Sequence, residues 1–505
     1  MEVVIIVHDK IKFRILSIFA IIFLCIGLTY RVLQNDTFYI IKLGEDIVKN
    51  GIDLLDHYSW VADLEYTYPH WLYDVIIYLI YNVFDYIGVY ISVIICFIFF
   101  GLCIYFVHLK MHKNEFIAFF VAAITCVPLS MFAVARSQII SLPLFLLEVY
   151  SIDRLIKTGQ NRYIIYLCIL SLIIANTHAT TWLFYFVLFL PFIGEDIVYK
   201  VSQNRKVRKI YKLDKYKNSK VIIKEIKNLN KVIVGLVLSF LMGIFTPSRI
   251  CYSYVFRVML GNSQKLLLEH LPLVVIENPF FIFTVILLVI ILINNKSKIY
   301  LRELFMICGL LVMALISTRH LVFFYTIGVL YVTILSLRCL SNIGDKSLDI
   351  LYNLIVKNKF IYVVVFIVII GYSGYNFYLH SDEKYVLKEE YPVGAVKYIN
   401  KNLEVENMRL YNNYNYGSYL LFNDIPVFID SRCDLYLKEF NGMDYSIFDE
   451  LVDIEFDYEE KFEYFDVTHV LLDKKSVLYM IILKDINYEI LYEDDDFILF
   501  KKLDN

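Results

Sequence analysis

The residues of this 505-residue chain best suited to phosphate and hydroxyl chemistry lie at the edges of its apolar blocks. Asp36 follows the first block, His70 stands just before Trp71, and Arg136 and Arg249 follow later blocks. Asn176 and His178 sit two residues apart, and Arg319 and His320 are adjacent. Arginine grips phosphate oxygens with two parallel N–H groups and keeps its charge. A carboxylate within reach of a hydroxyl can take its proton, and fixed cations stabilise charge as it develops on a departing oxygen. Each residue alone also has an ordinary reading. A terminal arginine snorkels to the interface, a histidine or asparagine caps or packs, and Asp36 is a loop acid. Convergence on one membrane face would turn them into a site for a lipid-linked sugar, which presents its phosphate at that surface.

What must position them is a set of helices. Hydrophobic residues make up 59% of the chain, above the half expected of a soluble domain, and they are concentrated in blocks such as Ile15–Tyr30, Ile91–Val107 and Ile361–Gly371. A helix needs about 20 mostly apolar residues to cross a bilayer. The nine cysteines lie mostly inside such blocks, with Cys251 in an outer loop and Cys433 in the tail. They form neither a disulfide framework nor a metal-ligand spacing, and no cofactor or metal is indicated.

Basic loops set the orientation. Lys10, Lys12 and Arg14 keep the N-terminus cytoplasmic, and with no small-residue cleavage site the first block reads as a retained span over 13–33. The acidic segment 34–85 is then an outer loop carrying two interfacial helices, Phe38–Asn50 and Trp71–Phe84. Further spans fall near 86–107, 115–133, 137–153, 162–177, 180–197, 231–246, 279–293, 301–317, 321–339 and 360–378. The expectation is an α-helical polytopic membrane bundle of about 11 transmembrane helices in the cell membrane. Residues 198–231 form a cytoplasmic basic loop centred on Arg205, Lys206, Arg208 and Lys209, suited to anionic lipid headgroups rather than nucleic acid.

Residues 1–380 thus read as the transmembrane domain and 381–505 as a small extracytoplasmic α/β domain. In that tail a helix starts near Pro392, Pro426–Asp430 and His469–Asp473 read as buried strands, and Tyr488–Tyr492 with Phe497–Lys501 reads as a hairpin around Asp494, Asp495 and Asp496. Asp430, Arg432 and Asp434 alternate after a strand and share one face, for sugar binding, docking on the bundle or a salt bridge.

These elements carry a resemblance. Asp36-Thr-Phe-Tyr, Leu43-Gly44, Asn50-Gly51, Asp56-His-Tyr-Ser59 and Trp71-Leu72 in the first outer loop are followed in order by Ala135-Arg136-Ser137-Gln138, Asn176-Thr177-His178, Thr246-Pro247 and Ser317-Thr318-Arg319-His320. The tail adds Tyr391-Pro392, Asn415-Tyr416-Gly417-Ser418-Tyr419-Leu420 and Phe428-Ile429-Asp430-Ser431-Arg432-Cys433-Asp434. The set resembles bacterial polytopic GT-C-type glycosyltransferase-like proteins near the RgtA/B/C/D-like group. That resemblance implies inverting sugar transfer from a polyprenyl-phosphate donor to a glycan, lipid or protein acceptor. Asp36 matches the outer-loop base, while His70 stands where an acid is expected, and no proline follows Arg136. On this reading Arg136 and Arg319 hold phosphate, His178 and His320 are supporting donors, and His70, Asp430 and Arg432 line the substrate site. The rival readings are a non-catalytic envelope-assembly or binding protein and a transporter or flippase. A transporter would carry ionisable or broken positions at mid-span, where Glu148, read near the inner end of its span, is a partial exception.

Overall fold

A computed structural model of the chain describes residues 2–61, 64–204, 220–254, 270–294, 298–343, 359–451 and 454–503. The centre of the basic loop, Arg205 to Lys209, and residues 255–269 lie outside the described residues. Among the described residues, five helical stretches are long and apolar enough to cross a membrane: Ile11–Leu28, Trp71–His112, Glu115–Phe132, Ala179–Gln203 and Thr318–Leu340. Shorter apolar helices cover Arg162–Thr177, Leu229–Phe245, Pro279–Ile293 and Val363–Leu379. Helices also occupy Gln138–Thr158 and Leu301–Ile316, which carry more charge. The chain is a multi-pass membrane protein.

Helix α1 (Glu2–Leu28) packs along the helix Lys359–Leu379 so closely that a Cβ on Gly27 would lie 2.5 Å from the Ser373 carbonyl oxygen. Helix α2 (Asn35–Asn50) buries Phe38, Tyr39, Ile41 and Leu43 and ends where Gly51 takes φ +86°, a conformation open to glycine. Its Gly44 presses on the next helix, since a Cβ there would meet the Asp74 carbonyl oxygen at 2.1 Å. Helix α3 (Trp71–His112) is 42 residues long, roughly 60 Å at 1.5 Å per residue, about twice the hydrocarbon thickness. It breaks at Asp85 (φ +55°, ψ −160°), so Trp71–Phe84 and Tyr86–His112 are separate segments.

Helix α4 (Glu115–Leu129) is capped by the Asn114 side chain, which accepts from the Ile117 N–H at 3.0 Å. Helix α5 (Gln138–Thr158) runs further than the span read from sequence. Glu148 therefore sits midway along it rather than near the inner end. It is fully buried, and neither carboxylate oxygen has a hydrogen-bond partner among the described residues. Helix α6 (Arg162–Thr177) ends at His178. Opposite the Asp36 end, ion pairs join Arg14 to Glu115 (2.5 Å), Arg302 to Glu195 (2.8 Å) and Arg338 to Glu303 (2.8 Å). Near them a short parallel pair forms between β1 (Val221–Ile222) and β2 (Ile299–Tyr300).

The tail is built on a four-stranded mixed sheet of β3 (Leu410–Tyr411), β4 (His469–Asp473), β5 (Tyr488–Glu493) and β6 (Phe497–Lys502), in spatial order β3-β4-β6-β5. The β5–β6 hairpin turns through Asp494, whose carboxylate accepts from the N–H groups of Asp496 and Phe497. Pro426–Asp430 is buried but is not a strand of this sheet. Its backbone groups are satisfied elsewhere: the Asn412 side chain accepts from the Phe428 N–H (2.9 Å) and donates to the Ile429 carbonyl (2.7 Å). Val427 bonds to Tyr58 and Trp60 of the first loop (3.0 and 3.1 Å). With backbone polar groups paired this way, burial costs no hydrogen bond. The Trp60 Nε1–H adds a bond to the Leu410 carbonyl (3.0 Å), and Phe38 meets Tyr391 and Tyr419 edge-on at 5.0 Å. The tail and the first loop are thus packed into one body.

Candidate active site

One cavity of about 100 Å³ lies where α2, the start of α3, the loop before α5, the end of α6 and the tail meet. Asp36 enters it from the first turn of α2, where the helix dipole favours a negative charge. Arg136 enters from the loop before α5, with its Nε 2.6 Å from the Asp36 carboxylate. The pair is partly open, at 14% and 31% side-chain exposure, so a substrate can reach it.

His70 and His178 face the same space. The loop before α3 is tied to the end of α6 by the Trp71 indole, which donates to the Asn176 side-chain oxygen (3.2 Å), and by the Ala179 N–H, which donates to the Pro69 carbonyl (2.8 Å). Asn176 therefore holds the histidines in register rather than facing the cavity. Ser141 of α5 bonds the Nδ1 of His178 at 2.8 Å. Burial, with the Arg319 charge and His70 beside it, holds His178 well below the usual histidine range, so its ring stays neutral. His70 Nδ1 lies 2.8 Å from Asp74 and its Nε2 3.3 Å from the Tyr39 hydroxyl. Burial lowers the proton affinity of His70, but the Asp74 carboxylate outweighs it and the net shift is upward.

Arg319 reaches the cavity from the turn after the helix Leu301–Ile316, with its guanidinium 3.2 Å from His270 Nε2. Its neighbour His320 does not line the cavity. That ring turns back to the Met313 carbonyl (3.3 Å) and packs near Phe323. The turn of the chain there sends adjacent side chains in different directions, which residue adjacency alone does not reveal.

The tail closes the cavity with Tyr414, Ser431, Arg432, Cys433 and Asp434. Arg432 is committed inward. Its Nε and one terminal nitrogen donate to Asp430 (2.9 and 2.7 Å), the other donates to Asp56, and the rings of Tyr58 and Tyr66 lie 5.5 and 5.2 Å away. Both members of the Arg432–Asp430 pair have no side-chain exposure. Asp430 lies behind Arg432, accepts from Tyr436 (2.6 Å) and does not line the cavity. Asp434 accepts from Tyr254. Tyr39, Asp74, Tyr254 and His270 were not among the candidate residues, whereas Asp434 was read with Asp430 and Arg432 as one face and does line the cavity. The His70–Asp74 spacing of four on one helix end was the available signal, whereas Tyr254 and His270 are joined to the site by tertiary contacts only.

The sequence matches no family model and no curated protein. Its fold does match solved structures. The oligosaccharyltransferase of Archaeoglobus fulgidus in the apo form is 11% identical with TM-score 0.54, covering 92% of this chain and 69% of that one. The same enzyme tethered to an acceptor peptide gives 11% identity and TM-score 0.56, over 91% and 69%. ArnT from Cupriavidus metallidurans, bound to undecaprenyl phosphate, is 11% identical with TM-score 0.55 over 97% of both chains. The chain therefore shares the multi-pass fold of GT-C-type membrane glycosyltransferases.

Proposed function

We propose that the chain is a membrane glycosyltransferase that moves a sugar from a polyprenyl-phosphate donor to an envelope acceptor on the outer face. The observation that carries this reading is the meeting of Asp36, Arg136, Arg319, His70 and His178 in one partly open cavity. The fold adds support, because ArnT with the same fold is bound to undecaprenyl phosphate. In the reaction, Asp36 takes the proton of the acceptor hydroxyl while that oxygen attacks the anomeric carbon. Arg136 fixes the direction of the Asp36 carboxylate. Arg319 stabilises the phosphate as it departs with the bonding electron pair. His178, kept neutral, contributes a hydrogen bond without adding charge. The tail closes the cavity and excludes water, which would otherwise compete as acceptor.

Asp36→Asn tests the reading against a non-catalytic assembly role. With the chain in liposomes and undecaprenyl-phosphate-linked sugars as donors, the variant is expected to fold, to bind undecaprenyl phosphate, and to lose transfer by about 10²–10⁴-fold, the usual contribution of a general base. Transfer equal to the unaltered chain removes Asp36 from this role.

A further inference from the structure

We infer that His70 is a second catalytic residue, the general acid that protonates the departing phosphate while Asp36 receives the acceptor's proton. The inference rests on the proposed sugar transfer and extends it to the other side of the breaking bond.

The first observation is a charge that needs a partner. Asp74 is fully buried, one of its oxygens meets His70 at 2.8 Å, and the other has no hydrogen-bond partner among the described residues. A buried carboxylate is stable when a cation sits against it, and here the group in contact is the His70 ring. The pair is charge-balanced when His70 carries both ring protons. The second observation is direction. With Nδ1 held by Asp74, Nε2 is the end that faces the cavity, and its contact with the Tyr39 hydroxyl is long at 3.3 Å. A loosely engaged donor of this kind can turn to a phosphate oxygen when the substrate enters. The third is electrostatic setting. Asp36 and Tyr39 on α2 and Asp434 from the tail face His70, with Arg136, Arg319 and His178 across the same space. The acids prevail, and His70 holds its proton to a higher pH than an ordinary histidine.

The step balances. The acceptor oxygen forms its bond to the anomeric carbon, and the bond from that carbon to the phosphate oxygen breaks, leaving the electron pair on phosphate. His70 Nε2 gives its proton to that phosphate, and Asp36 takes the acceptor's proton. Afterwards solvent in the cavity returns one proton to His70 and removes one from Asp36. Protonation matters because the product is a phosphate monoester, whose second ionisation lies near about pH 6. Without an acid it would leave as a dianion. An acid and a base held in one site with different environments is the pattern that assigns these roles. Asp74 acts through His70 and is a positioning residue.

Two readouts test this. The first is binding of undecaprenyl phosphate in detergent micelles across pH. His70→Gln is expected to weaken binding about tenfold at pH 6, one charge-assisted hydrogen bond, and to have a smaller effect at pH 9, because His70 gives up its proton as pH rises. The second is the pH profile of transfer. In the unaltered chain the rate falls as pH rises through the raised His70 value, because the acid form is lost. His70→Gln removes that alkaline limb and slows transfer about 10²-fold or more, and Asp74→Asn moves the limb to lower pH. A limb that survives His70→Gln, or binding equally affected at both pH values, overturns the inference alone. No transfer by the unaltered chain at any pH overturns the proposed function and this inference with it.

Discussion

Replacing Arg432 by methionine probes the joint between the tail and the first loop. The side chain would keep its bulk and lose every charge contact. Asp430 would retain the Tyr436 hydroxyl (2.6 Å), and Asp56 the Ser59 N–H (2.7 Å), but neither would keep a cation. Removing one partner of a buried ion pair costs about 3–5 kcal/mol, because the remaining charge is left uncompensated. The loss should appear where the two units are bonded, at the amides of Trp60 and Val427 that cross between them. Hydrogen exchange at these amides reports the free energy of local opening. At 1.4 kcal/mol per decade, exchange should accelerate by about 10²–10⁴-fold. Arg432→Lys should recover less than half of this, since one ammonium cannot fork to Asp430 and reach Asp56 together. Acceleration of less than about tenfold would refute the reasoning, and would mean that apolar packing around Phe38 and Phe428 holds the joint without the ion network.

Two further outcomes bear on topology and on the mid-span acid. Single cysteines at His57 and Asp424 should react with an impermeant reagent from outside intact cells, and one at Lys200 only after permeabilisation; the reverse pattern inverts the orientation. Glu148→Gln should leave transfer within about threefold and the fold intact, as a neutral isostere of a group with no hydrogen-bond partner among the described residues; loss of transfer, or loss of a measurable ion or lipid translocation, would bring a transporter role into the account.

Much of the scaffold was legible because bilayer crossing imposes long apolar runs and charge bookkeeping separates them. The break at Asp85 falls where charge bookkeeping ended the helix read as interfacial, and α2 ends at Asn50-Gly51, where the glycine takes φ +86°. The β5–β6 hairpin was legible from alternation around an acidic turn. Tertiary pairing was not. Pro426–Asp430 has the composition of a strand, yet the Asn412 side chain and Tyr58–Trp60 bond it in place of a sheet neighbour. Arg432 lines the cavity but spends its guanidinium on Asp430 and Asp56, and Asp430 lies behind it, out of the lining. Glu148 moved to mid-helix because α5 continues past Asp153 and Arg154, charges that marked a span end in the sequence and lie in its last turns here. Likewise His320 follows Arg319 directly, and only the turn between two helices decides which of them reaches the cavity.

The central claim is that this cavity holds the phosphate of a polyprenyl carrier, and a structure of the chain with undecaprenyl phosphate bound tests it most directly. The account requires the phosphorus within about 4 Å of the Arg319 guanidinium, in hydrogen-bond reach of His70 and next to the Asp36–Arg136 pair. A lipid phosphate seated elsewhere, for instance beside Lys110 at the end of the apolar groove between α3 and α5, with Arg319 still against His270, would contradict it.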